Sequence, residues 1–342
     1  MNKIVFNIFL LLPIFVFGQD IHFSQLTRAT YQTNPALTGT FLGNVKAEMN
    51  WKDQWRTINK TYRTYGASAE FSFGKTGFTK KTVFYAAGLH FFKDVSGDVE
   101  LGNTLVGLDF SVLIKTTRNS RLSMGIQANQ SRIGIDPTKM QWASQYNGLN
   151  YDPAIFNGEG VGFTPFSYGD IGAGITWWYH KKDNNIIAFS PNHARVGFAI
   201  FHVNKPKFSL YSGEAKLPMK FVFHSDVLLP IHESLYLYPN FLFQYQNKQS
   251  EIVFGSMVKY IIKPASKFTS HSNESSFSAG LNFRVTNILD ALIPQVYFNM
   301  ANFSVGLSYD VNISKLNNYS NYRGGFEISL RFINPDGFIH RL

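Results

Sequence analysis

The sequence predicts an all-β fold, a transmembrane antiparallel β-barrel of about 14 strands with a short periplasmic N-terminal segment. Every odd position from Phe303 to Ile313 is apolar or aromatic, and every even one is small or polar. The pattern returns from Phe326 to Phe332. Because successive side chains of a strand point to opposite faces, each segment is a strand with one apolar and one polar face. In an outer-membrane barrel these faces contact lipid and line the lumen, respectively.

The composition favours this setting over a soluble sandwich. Aromatic residues make up 16% of the chain, and charged residues also make up only 16%, against a usual value of about 25%. A surface that faces lipid, with aromatic girdles at both interfaces, has this balance. There is no cysteine, which excludes a disulfide framework and zinc–thiolate sites.

The net charge of +10 comes from basic residues that are spread over predicted turns and strand ends, such as Lys80, Arg118 and Lys181. A nucleic-acid site would group them on one surface with stacking aromatics. We therefore predict no nucleic-acid partner. The charge favours contact either with the anionic phosphates of outer-membrane lipid and lipopolysaccharide or with an acidic partner.

The N-terminus predicts secretion. Lys3 precedes an apolar run from Ile4 to Phe17, and small Gly18 is followed by polar Gln19, which is typical of a cleaved signal peptide. We predict four parts, namely a signal peptide at residues 1–18, a periplasmic segment at 19–43, an outer-membrane barrel at 44–333 and a tail at 334–342.

The alternating pattern recurs along the chain with turn residues between its copies. It predicts strands near residues 45–51, 62–73, 83–92, 106–115, 122–129, 171–179, 196–200, 216–228, 234–245, 251–262, 277–285, 292–298, 303–313 and 326–332. A barrel of fourteen strands at about 40° tilt is roughly 25–30 Å wide. Its lumen must hold water, a folded-in loop or another polypeptide.

Two further features are candidates for function. The longest connection, Gly134–Phe166, carries Trp142, Tyr146 and Tyr151, which we predict to contact a partner if the loop lies at the cell surface rather than inside the barrel. Barrel closure needs the first and last strands to pair. Their lumen faces carry Lys46, Glu48, Glu327 and Arg331, so closure brings either Lys46 near Glu327 or Glu48 near Arg331.

No catalytic, cofactor or metal site is predicted. The motifs Gly-x-Ser-x-Gly, the phosphate loop and His-Glu-x-x-His are all missing from the sequence,. His224, Ser225 and Asp226 carry suitable groups, but alternation on a strand separates the serine from the other two.

Two stretches after the predicted signal peptide carry a recognisable pattern. Residues 19–25 read QDIHFSQ and residues 31–39 read YQTNPALTG, with an Asn34-Pro35 turn, and Gln54-Trp55 follow. This mature start resembles that of the PorP/SprF family. The final strands, with Ser308-Tyr309-Asp310 and residues 327–331 (EISLR), are also similar. The resemblance implies an outer-membrane component of type IX secretion whose partners are a surface adhesin or other cargo and the periplasmic ring components of the machine. Asn34, Pro35, Gln54 and Trp55 are then candidate partner contacts, although the Asn34 turn could equally be structural.

We therefore expect a non-enzymatic outer-membrane protein that docks, helps export or tethers a cargo. A diffusion channel or a transporter of hydrophobic solutes fits the predicted lumen equally well, and a barrel hydrolase is a third possibility.

Overall fold

The computed structural model describes residues 22–54, 62–73, 82–156, 165–180, 187–188, 193–208, 215–266, 274–286, 288–314 and 321–334. The signal peptide, Trp55 and most of the predicted tail lie outside these residues. The strands, numbered in chain order, are β1 (Val45–Gln54), β2 (Tyr62–Phe73), β3 (Val83–Ser96), β4 (Leu101–Lys115), β5 (Ser120–Gly134), β6 (Phe166–His180), β7 (Ile187–Ala188), β8 (His193–Phe201), β9 (Lys220–His232), β10 (Leu235–Gln246), β11 (Gln249–Lys263), β12 (Ala265–Ser266), β13 (Ser275–Val285), β14 (Leu289–Met300), β15 (Phe303–Asn312) and β16 (Arg323–Asn334).

Fourteen of these strands form a closed antiparallel barrel, which confirms the predicted fold. Neighbours along the chain pair around the wall, and β1 pairs with β16 to close it. The two-residue strands β7 and β12 pair with each other outside the barrel, and the sequence pattern did not predict them.

The two faces of the wall differ as predicted. On β15, Leu307 is 38% exposed whereas its neighbour Ser308 is 3% exposed. The apolar residues that alternate with buried polar ones face outward along this strand. The outer surface is therefore an apolar band, as a lipid-facing wall requires.

The two ends of the barrel differ in their connections. We call the end where β1 begins and β16 ends the near end, and the opposite end the far end. Both ends have two-residue turns, but the two longest connections, residues 135–165 between β5 and β6 and residues 202–219 between β8 and β9, are at the far end, whereas the longest near-end connection is residues 181–192 between β6 and β8. Short turns are typical of the periplasmic side and long loops of the cell surface.

The described helices are short and lie in the N-terminal segment and in the loop after β5. They are α1 (Thr30–Thr33) and single 3-10 turns at Pro35–Leu37, Pro137–Lys139 and Ala143–Gln145. In the part of the chain that the structure describes, no helix has the length and apolarity needed to cross a membrane.

Residues 22–43, which we call the internal segment, lie inside the barrel rather than below it. Sequence analysis treated residues 19–43 as periplasmic, and the described part of that stretch instead bonds to lumen-facing side chains of the wall, from Ser24 on Glu327 to Thr38 on Ser111. The reason is physical, because a lumen this wide cannot be filled by wall side chains alone. The chain's own N-terminal segment fills it.

Candidate functional site

The internal segment begins in a cluster of paired charges. The Ser24 amide donates to Glu327 Oε2 at 2.7 Å, and its hydroxyl donates to Asp310 Oδ2 at 2.8 Å. The same hydroxyl accepts from Lys52 Nζ at 2.8 Å and from an Arg284 guanidinium nitrogen at 2.7 Å. Two cations and two carboxylates therefore surround one serine. Buried charges are tolerated when they are paired in this way.

Farther along, Asn34 lies in a slot of the wall. Its Nδ2 donates to Thr176 Oγ1 at 3.0 Å and lies 3.1 Å from His224 Nε2, while its Oδ1 accepts from the Ala36 amide at 2.8 Å. A Cβ at Gly174 would stand 2.0 Å from Asn34 Oδ1. The slot exists because the facing wall residues lack side chains.

The turn after Asn34 rests on a second glycine. Gly125 on β5 lies directly opposite Gly174 on β6, and a Cβ there would come within 2.5 Å of the Pro35 carbonyl and the Ala36 amide. Asn34 and Ala36 have no exposed surface, and Pro35 is also buried. The segment Asn34-Pro35-Ala36 is thus bound by the wall, and neither predicted partner residue offers surface to another molecule in this position.

At the seam, the register places Glu48 opposite Arg331 and Lys52 opposite Glu327. The Arg331 guanidinium contacts the Glu48 carboxylate and also donates to the Thr27 carbonyl of the internal segment. Lys46 is not opposite Glu327, and instead its Nζ lies 2.7 Å from Glu70. The seam and the internal segment are therefore held by one shared set of charges.

Arg28 adds a further cation to this set. It donates to Ser304 Oγ at 2.5 Å and lies over the ring of Tyr297. Burial, and then the neighbouring Arg331, lower the pKa of Arg28 to about 10, so its guanidinium stays charged at neutral pH. Burial likewise raises the pKa of the Tyr31 phenol, which keeps that ring neutral.

Above the internal segment lies a cavity of about 730 Å³, which we call the recess. Tyr31 and Gln32 of the internal segment contribute to its lining, and the far parts of β3 to β6 and the residues around Lys220 line its sides. Its apolar and aromatic lining comprises Phe92, Leu101, Leu105, Ile133, Tyr168, Phe201, Phe208, Leu217 and Pro218. Cavities of this size commonly bind ligands.

Several polar groups of the recess form one chain of contacts. His90 Nδ1 lies 2.7 Å from Asp109 Oδ2, and His90 Nε2 lies 3.0 Å from Asn129 Oδ1. Asn129 Nδ2 donates to Asp170 Oδ2 at 3.3 Å, and the other Asp170 oxygen lies 2.9 Å from His202 Nδ1. This chain runs across four strands. A ligand in the recess would meet its apolar walls together with Lys216, Lys220 and Asn103, whose buried Oδ1 has no hydrogen-bond partner among the described residues.

The other predicted partner residues lie at the far end. Gln54 ends β1, and Trp142, Tyr146 and Tyr151 belong to the loop after β5. Gln145 Oε1 accepts from the Trp142 amide at 3.3 Å and from the Tyr151 hydroxyl at 3.3 Å. The loop is thus tied to itself outside the lumen and leaves Tyr146 59% exposed.

The candidate catalytic triplet is not assembled. His224 and Asp226 face the lumen and are buried, while Ser225 lies on the opposite face of β9. Among the described residues, no group of histidine and acidic side chains could hold a metal ion.

Sequence reasoning missed the charges and glycines that hold the internal segment. Lys52, Arg284 and Asp310, together with Gly125 and Gly174, all sit at lumen-facing positions of predicted strands or their ends. The presence of both positive and negative residues at lumen-facing positions could have indicated a filled lumen. A water-filled channel solvates its charges and does not need to pair them so closely.

The chain resembles known proteins both in sequence and in fold. The sequence model of a family described as "Type IX secretion system membrane protein PorP/SprF" matches residues 15–332. Among curated proteins, none matches the chain significantly. Similar solved structures include the toluene transporter TbuX of Ralstonia pickettii, at 12% identity over 87% of this chain and 90% of that one with a TM-score of 0.43. BamA of Haemophilus ducreyi is another, at 8% identity over 85% and 70% with a TM-score of 0.42. These structural likenesses are remote, and we draw nothing about function from them.

Proposed function

The chain belongs to the PorP/SprF family of type IX secretion system membrane proteins, and we propose that in the outer membrane it docks and tethers a secreted cargo, such as an adhesin, through the recess. Periplasmic ring components of the secretion machine are the partners expected at the near end. The observation that supports this proposal most directly is that the internal segment occupies one part of the lumen, while the recess remains an open cavity between this segment and the far end.

An occupied lumen favours docking over passage. Wall charges from β1, β13, β15 and β16 hold the Ser24 region, and β5, β6 and β9 hold the Asn34 region. A folded or extended cargo has no room beside this segment while it is in place. A cargo arriving at the cell surface would instead meet the recess and the self-tied loop with exposed Tyr146.

The site also supports a non-enzymatic role. A hydrolase needs a nucleophile within hydrogen-bond reach of its base, and Ser225 is on the other side of the wall from His224. The His90–Asp109 pair has its second ring nitrogen on Asn129 rather than on a hydroxyl.

The test fills the recess. Leu105→Trp replaces an aliphatic side chain of the recess lining, which also packs against Phe23 and Tyr31, by a larger indole ring. Leu108→Trp makes the same replacement on the lipid face of the same strand, where Leu108 is 62% exposed. We expect Leu105→Trp to release cargo from the cell surface, and Leu108→Trp to leave display unchanged. Both barrels should remain heat-resistant on a gel. Normal display with a filled recess would refute docking at this site.

The apolar walls favour one alternative, which is transport of a hydrophobic solute. Deletion of the gene would separate the two functions. Loss of surface cargo with unchanged uptake of an apolar fluorescent probe supports docking. Loss of probe uptake with normal display supports transport.

A further inference from the structure

A second binding surface lies on the outside of the wall, away from the recess. Lys93 on β3, Thr104 on β4 and Arg132 on β5 occupy one continuous row of the sheet, since Thr104 pairs with Lys93 on one side and with Arg132 on the other. All three alternate with inward residues and so face outward. We call them the exterior cationic row.

The row stands where the apolar band ends. On β3 the outward residues from the near end are Val83, Tyr85, Ala87, Leu89 and Phe91, and Lys93 is next. On β4 the outward run from Ile114 to Val106 is apolar and Thr104 follows. This is the level at which a wall leaves hydrocarbon and meets headgroups. Because the row is at the far end, those headgroups belong to the outer leaflet.

The two cations are not paired with any acidic side chain in the part of the chain that the structure describes. Lys93 and Arg132 are exposed, and within the described residues neither forms an ion pair or a side-chain hydrogen bond. Glu100, in the turn between β3 and β4, is already paired with Lys139. Arg63 is different, because it lies opposite the buried carboxylate of Asp53, and we leave it out of the row.

Across the barrel, four strands carry no cation at the corresponding outward wall positions. The corresponding outward residues on β10, β11, β13 and β15 include Tyr245, Ile252, Phe283 and Tyr309. Other exposed cations of the far end lie elsewhere, since Lys205 and Lys248 are in connections and Arg323 is the first residue of β16. Lys93 and Arg132 lie on the wall itself, two strand spacings or about 10 Å apart, with a hydroxyl between them. Two flexible cations at this distance can bind opposite sides of one phosphate.

We propose that the exterior cationic row binds the phosphorylated headgroup of lipopolysaccharide, with Lys93 and Arg132 contacting phosphate oxygens and Thr104 donating from between them. The outer-leaflet glycolipid is the occupant because its phosphate lies at the boundary of the apolar band while its acyl chains lie against Leu89, Phe91 and Val106. This site is independent of cargo docking in the recess.

The test measures how much lipopolysaccharide each full-length barrel retains after purification in mild detergent, by native mass spectrometry. Each cation near a membrane surface adds about fivefold in affinity, so Lys93→Gln with Arg132→Gln should weaken binding by about 25-fold. Lys93→Arg with Arg132→Lys keeps both charges and should bind nearly as well as the wild type. Lys205→Gln with Lys248→Gln removes two exposed far-end cations outside the row and should change little.

Two ligand controls identify the occupant. Enzymatically dephosphorylated lipopolysaccharide should bind as weakly to the wild type as intact lipopolysaccharide binds to the double glutamine variant. Millimolar inorganic phosphate should not displace the lipid, because it lacks the acyl chains. Equal retention by the glutamine variant, or by dephosphorylated lipid, would overturn the proposal, and displacement by free phosphate would overturn the choice of a lipid. Normal cargo display by the variants is compatible with the site, because the recess is untouched.

Discussion

The internal segment and the loop after β5 are both long stretches without barrel strands, yet they are fixed in opposite ways. The polar groups of the internal segment form hydrogen bonds with the wall, as Ser24 does with Asp310 and Asn34 does with Thr176. The loop bonds to itself through Gln145 and Tyr151. The difference lies in their surroundings. The internal segment faces paired charges and glycine slots of the wall, whereas the loop faces solvent.

This contrast has an energetic consequence. A charge or amide of the internal segment is buried, so a lost partner leaves it without water. A polar group of the loop regains water when its partner is removed. Equivalent substitutions should therefore have much larger effects in the internal segment than in the loop.

The largest expected effect is at Asp310. Asp310→Leu leaves the cations of Lys52 and Arg284 without their carboxylate, and breaking a buried pair in this way costs about 3–5 kcal/mol. The internal segment should leave the wall more often. The measurement is the rate of trypsin cleavage after Arg28, which is only 4% exposed in the folded protein.

The matched control breaks an ion pair of the loop region. Glu100→Leu removes the exposed partner of Lys139, and we expect cleavage after Arg28 to be unchanged. If Asp310→Leu also left Arg28 protected, the cluster around Ser24 would not be what holds the internal segment.

A second prediction concerns the glycine slot. Gly174→Ala adds a Cβ that would stand 2.0 Å from Asn34 Oδ1, and overpacking of this kind costs about 1–3 kcal/mol. Gly169→Ala on the same strand adds a Cβ that would stand 3.8 Å from Gln130 Oε1, an ordinary contact distance, and should cost less than about 0.5 kcal/mol. Unfolding by urea in lipid vesicles measures both. Equal costs would mean that the turn at Asn34 does not depend on the slot.

The sequence predicts the wall well and its contents poorly. Alternation is a local property, so the outward position of Leu307 and the inward position of Ser308 follow from the strand alone. The contacts of Ser24 with Glu327 join residues 303 positions apart, and no local pattern carries that information. The apolar pattern predicts that the third strand ends near residue 92, but β3 continues to Ser96. Backbone pairing with β2 and β4 continues to Val95 and Ser96, respectively, and so extends β3 beyond its apolar pattern.

The third prediction concerns the Glu48–Arg331 pair at the seam between β1 and β16. Glu48 lies 3.5 Å from Lys46 and also interacts electrostatically with Arg28. Exchanging the two charges of the pair would therefore place a lysine at position 48 beside other cations. A double-mutant cycle that uses neutral glutamine at both positions avoids this repulsion. Glu48→Gln, Arg331→Gln and the double variant should show a coupling of about 0.5–3 kcal/mol in unfolding free energy. Simple additivity would mean that each charge is solvated separately and that the pair does not stabilise closure.

The smallest expected effect is in the loop. Gln145→Ala removes the acceptor of the Trp142 amide and the donor to the Ile155 carbonyl, which lies at 3.1 Å. Hydrogen bonds of this kind contribute about 0.5–1.5 kcal/mol each, and the freed groups here can bond to water. Amide hydrogen exchange should therefore accelerate from Trp142 to Ile155, while the internal segment keeps its protection. Because the loop and the internal segment share no described hydrogen bond, faster exchange at Thr30–Thr33 would show that the two regions are coupled through the recess after all.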